Sequence, residues 1–134
     1  MKIFRSTFLF VLVWLTAIHT LQAQQKVLTL EKDSFMNGIS REEVQLIDVR
    51  TPEEYAAGTI SGAQLADWKN KRAFRKVVRT LDKDQPVYLF CASARRSHEA
   101  ALWLIRKGFS PVAELKDGVK NRPELLSKPP SSLP

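Results

Sequence analysis

The chain holds a single cysteine, Cys91, and its neighbours are the residues best suited to chemistry. It closes the run Tyr88-Leu89-Phe90 and opens Ala92-Ser93-Ala94-Arg95-Arg96-Ser97. An apolar stretch that stops at a cysteine, then small and basic residues, then a serine able to cap a helix, predicts a strand end, a loop and a helix start. A free thiol titrates at roughly 8.5, and only the thiolate is a good nucleophile. Three features favour the anion here. The helix that follows points its positive end at the loop. Residues 92–97 contain no proline, so each offers an N–H to an anion-binding nest. Arg95 and Arg96 add positive charge. Such a loop could hold a thiolate, a persulfide or a bound oxyanion. The plainer reading is an inert buried cysteine, since free Cys is among the most buried residue types.

Other groups offer less. Asp48 and Arg50 could reach the loop from a neighbouring strand end, but near a core they are expected to pair with each other. His98 has no acid, base or ligand partner nearby in sequence and reads as a surface histidine. The chain has 2 histidines and 1 cysteine, which offer no metal-ligand spacing. Trp103 reads as core, and so does Trp68, with the rim of the site as its alternative. Lys69, Lys71, Arg72, Arg75, Lys76 and Arg79 cluster, but Trp68, Phe74, Val77, Val78 and Leu81 supply apolar positions between them. That pattern describes the solvated face of a helix.

The elements that must position Cys91 follow from periodicity. Val27–Leu30 is a short strand, and 33–38 a brief capped helical turn. Val44–Val49 is a buried strand. Thr51-Pro52-Glu53-Glu54 starts a helix, with a cap, a proline at the first position and acids at the positive end; Gly58 stops it. Ile60–Leu65 reads as a strand and 67–81 as a helix. Val87–Phe90 is a continuously apolar strand of the kind covered on both faces. Ser97–Lys107 is the strongest helix, ended by Gly108. Val112–Leu115 is the last strand. Strands alternating with helices predict an α/β domain with a mostly parallel sheet. Ligands of such sheets bind beyond the carboxyl ends of the strands, where Cys91 falls.

The 134 residues suggest one domain. Lys2 and Arg5, the apolar stretch 8–18 and the exit Leu21-Gln22-Ala23 predict a signal peptide over 1–23. The apolar stretch is about half the ~20 residues a membrane-spanning helix needs. Cleavage after Ala23 would leave 19 basic and 14 acidic residues, a formal charge of +5. That charge suits anionic partners in general. No arginine-rich tract or aromatic-interleaved basic stripe points to nucleic acid. An unpaired thiol in an exported chain implies a reactive group or an intermolecular partner. The expected location is periplasmic or secreted, with no stable membrane association after cleavage. The domain is read as 27–122, and the proline- and serine-rich stretch 123–134 as a disordered tail.

Four segments together resemble the rhodanese-like sulfurtransferase family. Leu46-Ile47-Asp48-Val49-Arg50-Thr51-Pro52-Glu53-Glu54-Tyr55 is similar to its Asp-Val-Arg segment. Gly58-Thr59-Ile60-Ser61-Gly62-Ala63 is similar to its Gly-His-Ile-Pro-Gly-Ala stretch. Cys91–Ser97 resembles its Cys-x-x-Gly-x-Arg-Ser loop, and Leu115-Lys116-Asp117-Gly118-Val119 its closing Gly-Gly-Val segment. The resemblance implies a three-layer α/β fold, a parallel central sheet flanked by helices. It implies that Cys91 takes a sulfane sulfur from a small anionic donor such as thiosulfate and passes it, as a persulfide, to a thiol or cyanide. No metal or organic cofactor is implied. The substrate-binding set would be Ala92, Ser93, Ala94, Arg95, Arg96 and Ser97, whose amides would steady the sulfur anion. Arg96 would brace the loop. Arg95 would meet the donor, or serve only as a solvated charge.

Related phosphatases place five residues between cysteine and arginine, and four stand between Cys91 and Arg96. The tighter ring suits sulfur better than phosphate. The chain departs from the family pattern at Ala94, where glycine is usual. If that position needs positive φ, alanine adds roughly 1 kcal/mol of strain. Thr59 and Ser61 replace His and Pro, Asp117 replaces the first closing Gly, and Arg122 stands where Trp is common. A reading of another class is a catalytically silent module that binds an anion or a partner protein. The sequence does not specify oligomeric state.

Overall fold

A strand buried on both faces is a nearly continuous apolar run, and Val87–Phe90 is one. In the computed structural model, which describes residues 26–131, this segment is the central strand β4. The other strands are β1 (Leu28–Leu30), β2 (Gln45–Asp48), β3 (Gln64–Leu65) and β5 (Val112–Leu115). They form one sheet in the order β1-β5-β4-β2-β3, and every pair is parallel. Successive side chains of a strand point to opposite faces, and this divides the core. Ile47, Val87 and Leu89 pack on one face with Phe74, Ala100 and Leu104. Leu46 and Phe90 pack on the other with Phe35, Ile60 and Leu115. Burying each such side chain stabilises by roughly 1.5–3 kcal/mol.

The helices are α1 (Lys32–Ile39), α2 (Pro52–Ala57), α3 (Lys71–Val78) and α4 (Arg95–Arg106). α3 and α4 cover the first face, and α1 the second. The result is the expected three-layer α/β, rhodanese-like fold. No helix among the described residues is long and apolar enough to cross a membrane. The signal peptide expected over 1–23 lies outside the described residues.

Several boundaries differ from expectation, each for a local reason. The strand expected over Ile60–Leu65 contracts to β3, because Ala63 N–H bonds the Ile60 carbonyl at 3.0 Å in a turn through Gly62, at φ 84°. The helix expected over 67–81 contracts to α3. Asp67 accepts from Lys69 N–H at 2.9 Å in a turn of its own, and Asn70 caps α3 by accepting from Ala73 N–H at 3.1 Å. α4 starts two residues before Ser97, so that serine is not its cap.

The segment expected as tail begins with structure. Pro123–Leu125 forms a 3-10 turn. Thr59 and Ser127 exchange backbone hydrogen bonds of 2.9 and 2.8 Å, and Leu125 and Leu126 pack against the Ile60 side of the core. Composition dominated by Pro and Ser masks these two adjacent leucines.

Candidate active site

β4 ends at Phe90, and Cys91 follows it directly beneath the loop that leads into α4. Cys91 is fully buried. Its Sγ accepts the Ser97 backbone N–H at 3.4 Å and lies 3.5 Å from Ser97 Oγ. Among the described residues, the N–H groups of Ala92, Ser93 and Ala94 donate to no acceptor of the protein. Backbone donors left free in the loop that follows the cysteine are what an anion nest requires.

Ala94 occupies the first flanking position of α4 with φ 67°, in the left-handed region. The conditional expectation about this position is therefore met: a non-glycine residue holds a conformation that costs roughly 1–2 kcal/mol. Because Ala94 turns the chain, Ser97 falls in the first helical turn, fully buried, with its hydroxyl 3.0 Å from the Ala94 carbonyl.

The loop is clamped from two sides. Val119 N–H bonds the Cys91 carbonyl at 3.0 Å, and Lys120 N–H bonds the Ala92 carbonyl at 2.9 Å. Gly118, at φ 67°, packs so tightly on the Cys91–Ala92 peptide that any Cβ there would collide with its carbonyls. On the other side Arg96 donates two bonds to the Glu54 carboxylate, at 2.7 and 2.9 Å. This bidentate pair ties the start of α4 to the start of α2, where Glu54 also accepts from Thr51 N–H in a capping box. The Arg96 bond, with help from Thr51, holds the Glu54 carboxyl well below its ordinary range, at about 2, against the opposing effect of burial. The Arg96 guanidinium is pushed up mainly by the same bond. Arg96 thus braces the loop. Arg95 is exposed and sits 3.5 Å from Glu99.

Asp48 and Arg50 form the buried pair expected of them. Arg50 reaches Asp48 at 2.6 Å and also donates to the Gly58 carbonyl at 2.6 Å. Thr59, in place of the family histidine, donates to Asp48 at 2.9 Å. These bonds fix the turns beside the site and do not enter it.

Outside the loop, a cleft of about 470 Å³ is lined by Trp68, Lys69, Lys71, Ser93, Arg95, Arg96 and Glu99. Trp68 therefore serves the rim, while stacking edge-on against Phe74 with ring centres 4.9 Å apart. Lys71 Nζ lies 3.0 Å from the Trp68 ring centre, a cation–π contact. Desolvation is the main cause that lowers the Lys71 pKa.

His98 is exposed, as expected, but it is not without a partner. Its Nδ1 lies 2.6 Å from Oε1 of Glu114, on β5, so it has an acidic partner. Periodicity shows Glu114 only as part of a strand, yet it is almost fully buried. Thr29 donates to its Oε1 at 3.0 Å, and Ser97 Oγ lies 3.4 Å from its Oε2. A signal was present: a glutamate inside an apolar strand of a covered parallel sheet must be buried, and a buried acid must find partners. Among the described residues no group of three or more His, Cys, Asp or Glu is placed to hold a metal ion.

Comparison with known proteins adds five findings. An uncharacterized protein of Bacillus subtilis, YqhL, is 37% identical over 98 residues, covering 72% of this chain and 74% of that one. Thiosulfate sulfurtransferase GlpE of Pseudomonas fluorescens is 40% identical over 73 residues, 54% of this chain and 64% of the enzyme. A tRNA uridine(34) hydroxylase of Pelagibacter ubique is 35% identical over 83 residues, 62% of this chain but only 28% of that protein. The crystal structure of a rhodanese-like domain protein from Staphylococcus aureus superposes with a TM-score of 0.61 at 26% identity, covering 69% of this chain and 88% of that one. The rhodanese-like domain model matches residues 31–121, from the residue that opens α1 to the segment that clamps the cysteine loop, and the chain belongs to that family.

Proposed function

We propose that the protein is a sulfurtransferase that carries sulfane sulfur on Cys91. The observation that carries this reading is the Cys91 loop, in which the Ser97 amide bonds Sγ and the amides of Ala92, Ser93 and Ala94 are unclaimed. The Cys91 thiolate attacks the outer sulfur of an anionic donor such as thiosulfate. The donor S–S bond breaks, and sulfite leaves with the bonding electrons. The new terminal sulfur carries the negative charge, and the amides of residues 92–97 receive it as an oxyanion hole receives oxygen. A thiol or cyanide then attacks that terminal sulfur and returns Cys91 as thiolate. The family includes relatives named thiosulfate sulfurtransferase, which favours this assignment.

Lys69, Lys71 and Arg95 line the cleft that leads to the loop, and their charge draws an anionic donor. Because Cys91 is fully buried and the cleft is lined by Ser93, Arg95 and Arg96 of its loop, the donor approaches through that cleft and the loop yields to admit it. Residues 1–23 act as an export signal in this proposal, so the sulfur cycle takes place in the periplasm or outside the cell.

Intact mass of the mature protein, before and after excess thiosulfate, tests the proposal. Wild type gains one sulfur atom and loses it to cyanide, and Cys91→Ser gains nothing. An unchanged wild-type mass with thiosulfate and with a range of persulfide donors would assign the chain to the silent binding modules instead.

A further inference from the structure

The Ser97 hydroxyl has one proton and three neighbours: the Ala94 carbonyl at 3.0 Å, Glu114 Oε2 at 3.4 Å and Cys91 Sγ at 3.5 Å. A carbonyl and an ionised carboxylate only accept. When Glu114 is ionised, Ser97 spends its proton on one of them and turns a lone pair to Cys91. The cysteine then completes the chain by donating its S–H. When Glu114 is protonated, the carboxylic acid can donate to Ser97, and Ser97 can donate to a Cys91 thiolate. The two arrangements hold the same number of protons and the same net charge.

We propose that Glu114 is the internal proton acceptor of Cys91, acting through Ser97. It is a positioning residue and touches no substrate. In the step that creates the thiolate, the Cys91 S–H bond breaks and its proton joins Ser97 Oγ. At the same time the Ser97 O–H bond breaks and its proton joins Glu114 Oε2. Nothing is oxidised or reduced, and no second negative charge is created in the core, where an unpaired charge is costly. Hydrogen bonds of this length in an unliganded site can shorten when substrate binds.

The groups facing Glu114 are few. Thr29 comes from β1 as a neutral donor. Ser97 and His98 come from α4. His98 is the only charged or titratable side chain bonded to the carboxylate among the described residues, and its ring is half exposed. It therefore connects the buried acid to solvent and steadies the ionised form. Cys91 faces the Ser97 side, with the Arg96–Glu54 pair beyond it.

The inference rests on Cys91 being the working thiol. Its test reads the thiol directly, so it stands apart from the question of which donor is used. Thiolate formation is followed by ultraviolet absorbance across pH, with Cys91→Ser subtracted. Wild type should titrate in a broadened, two-step curve, as two sites sharing a proton do. Glu114→Gln should give a single step, its midpoint lower by about one pH unit, because the competing buried charge is gone. In a Ser97→Ala background, which keeps the backbone N–H, the same change should move the midpoint less than half as far. His98→Gln, at a half-exposed site, leaves the carboxylate hungrier for the proton. It should also bring thiolate in at lower pH, but have no effect once Glu114 is Gln. Identical curves for wild type and Glu114→Gln would overturn the proposal. So would a Glu114 effect independent of Ser97, or a midpoint raised by His98→Gln. Should Glu114→Gln fail to fold, the direction of the His98→Gln shift decides alone.

Discussion

Two glutamates stand on either side of the Cys91 loop and do different work. Glu54, at the start of α2, is a third exposed and gripped by both terminal nitrogens of Arg96. Glu114, in the middle of β5, is buried and bonded to two hydroxyls and an imidazole. A guanidinium is always charged, so the first carboxylate stays ionised down to strong acid and serves as a mechanical brace. Hydroxyls can donate or accept, and an imidazole changes charge near neutral pH. The second carboxylate therefore sits among partners that can exchange protons with it. Residue type does not separate these roles; the partners do.

The sharpest way to break the comparison is to remove the support both sides share. Gly118→Ala forces a Cβ against the Cys91–Ala92 peptide and also strains a φ of 67°. It should cost roughly 3 kcal/mol, the range of overpacking with backbone displacement. Denaturant unfolding would show the loss, and persulfide loading should fall with it. A fully stable Gly118→Ala would mean the clamp does not hold the loop.

Breaking one side only should be milder. Arg96→Ala leaves Glu54 without its partner and frees the loop from α2. About 1 kcal/mol of stability should go, discounted from a buried pair because both side chains are partly solvated. Thiosulfate loading should slow about tenfold through misplacement of the nest. Stopped-flow loading set beside the unfolding midpoint separates the two effects.

Acid should distinguish the glutamates as well. The folded pKa of Glu54 is depressed, to about 2 from 4.5. Its stabilising contribution is complete above that ordinary value and disappears as pH falls through about 2. Stability of wild type and Glu54→Gln should therefore differ at neutral pH and converge in strong acid. A difference that persists at low pH would mean that Gln disturbs packing and that the ion pair is not the cause.

The smallest expected effect is a gain. Ala94→Gly removes the left-handed strain at φ 67° and should raise stability by up to about 1 kcal/mol, offset by the extra freedom of glycine when unfolded. If melting shows no gain, the strain at Ala94 has already been relaxed by its neighbours.

Much of this arrangement is legible in the chain itself. The apolar run 87–90 specifies a covered strand, Thr51-Pro52-Glu53-Glu54 specifies a helix start, and the single thiol at a strand end locates the candidate site. The parallel α/β fold follows from the alternation of elements. Helix and strand ends were less legible. Asp67, Asn70 and Ala94 take the backbone into turns that periodicity does not register.

What the amino-acid sequence determined by itself is thus local: which segments are strands, which loop bears the thiol, and how α2 is capped. These depend on side-chain periodicity and on contacts within one helical turn. The tertiary structure decided the partners. Glu54 meets Arg96 across 42 positions, Glu114 meets His98 across 16, and Thr59 meets Ser127 across 68. A parallel sheet brings strand ends that are remote in sequence to one edge, and only there can a carboxylate acquire the neighbours that fix its charge.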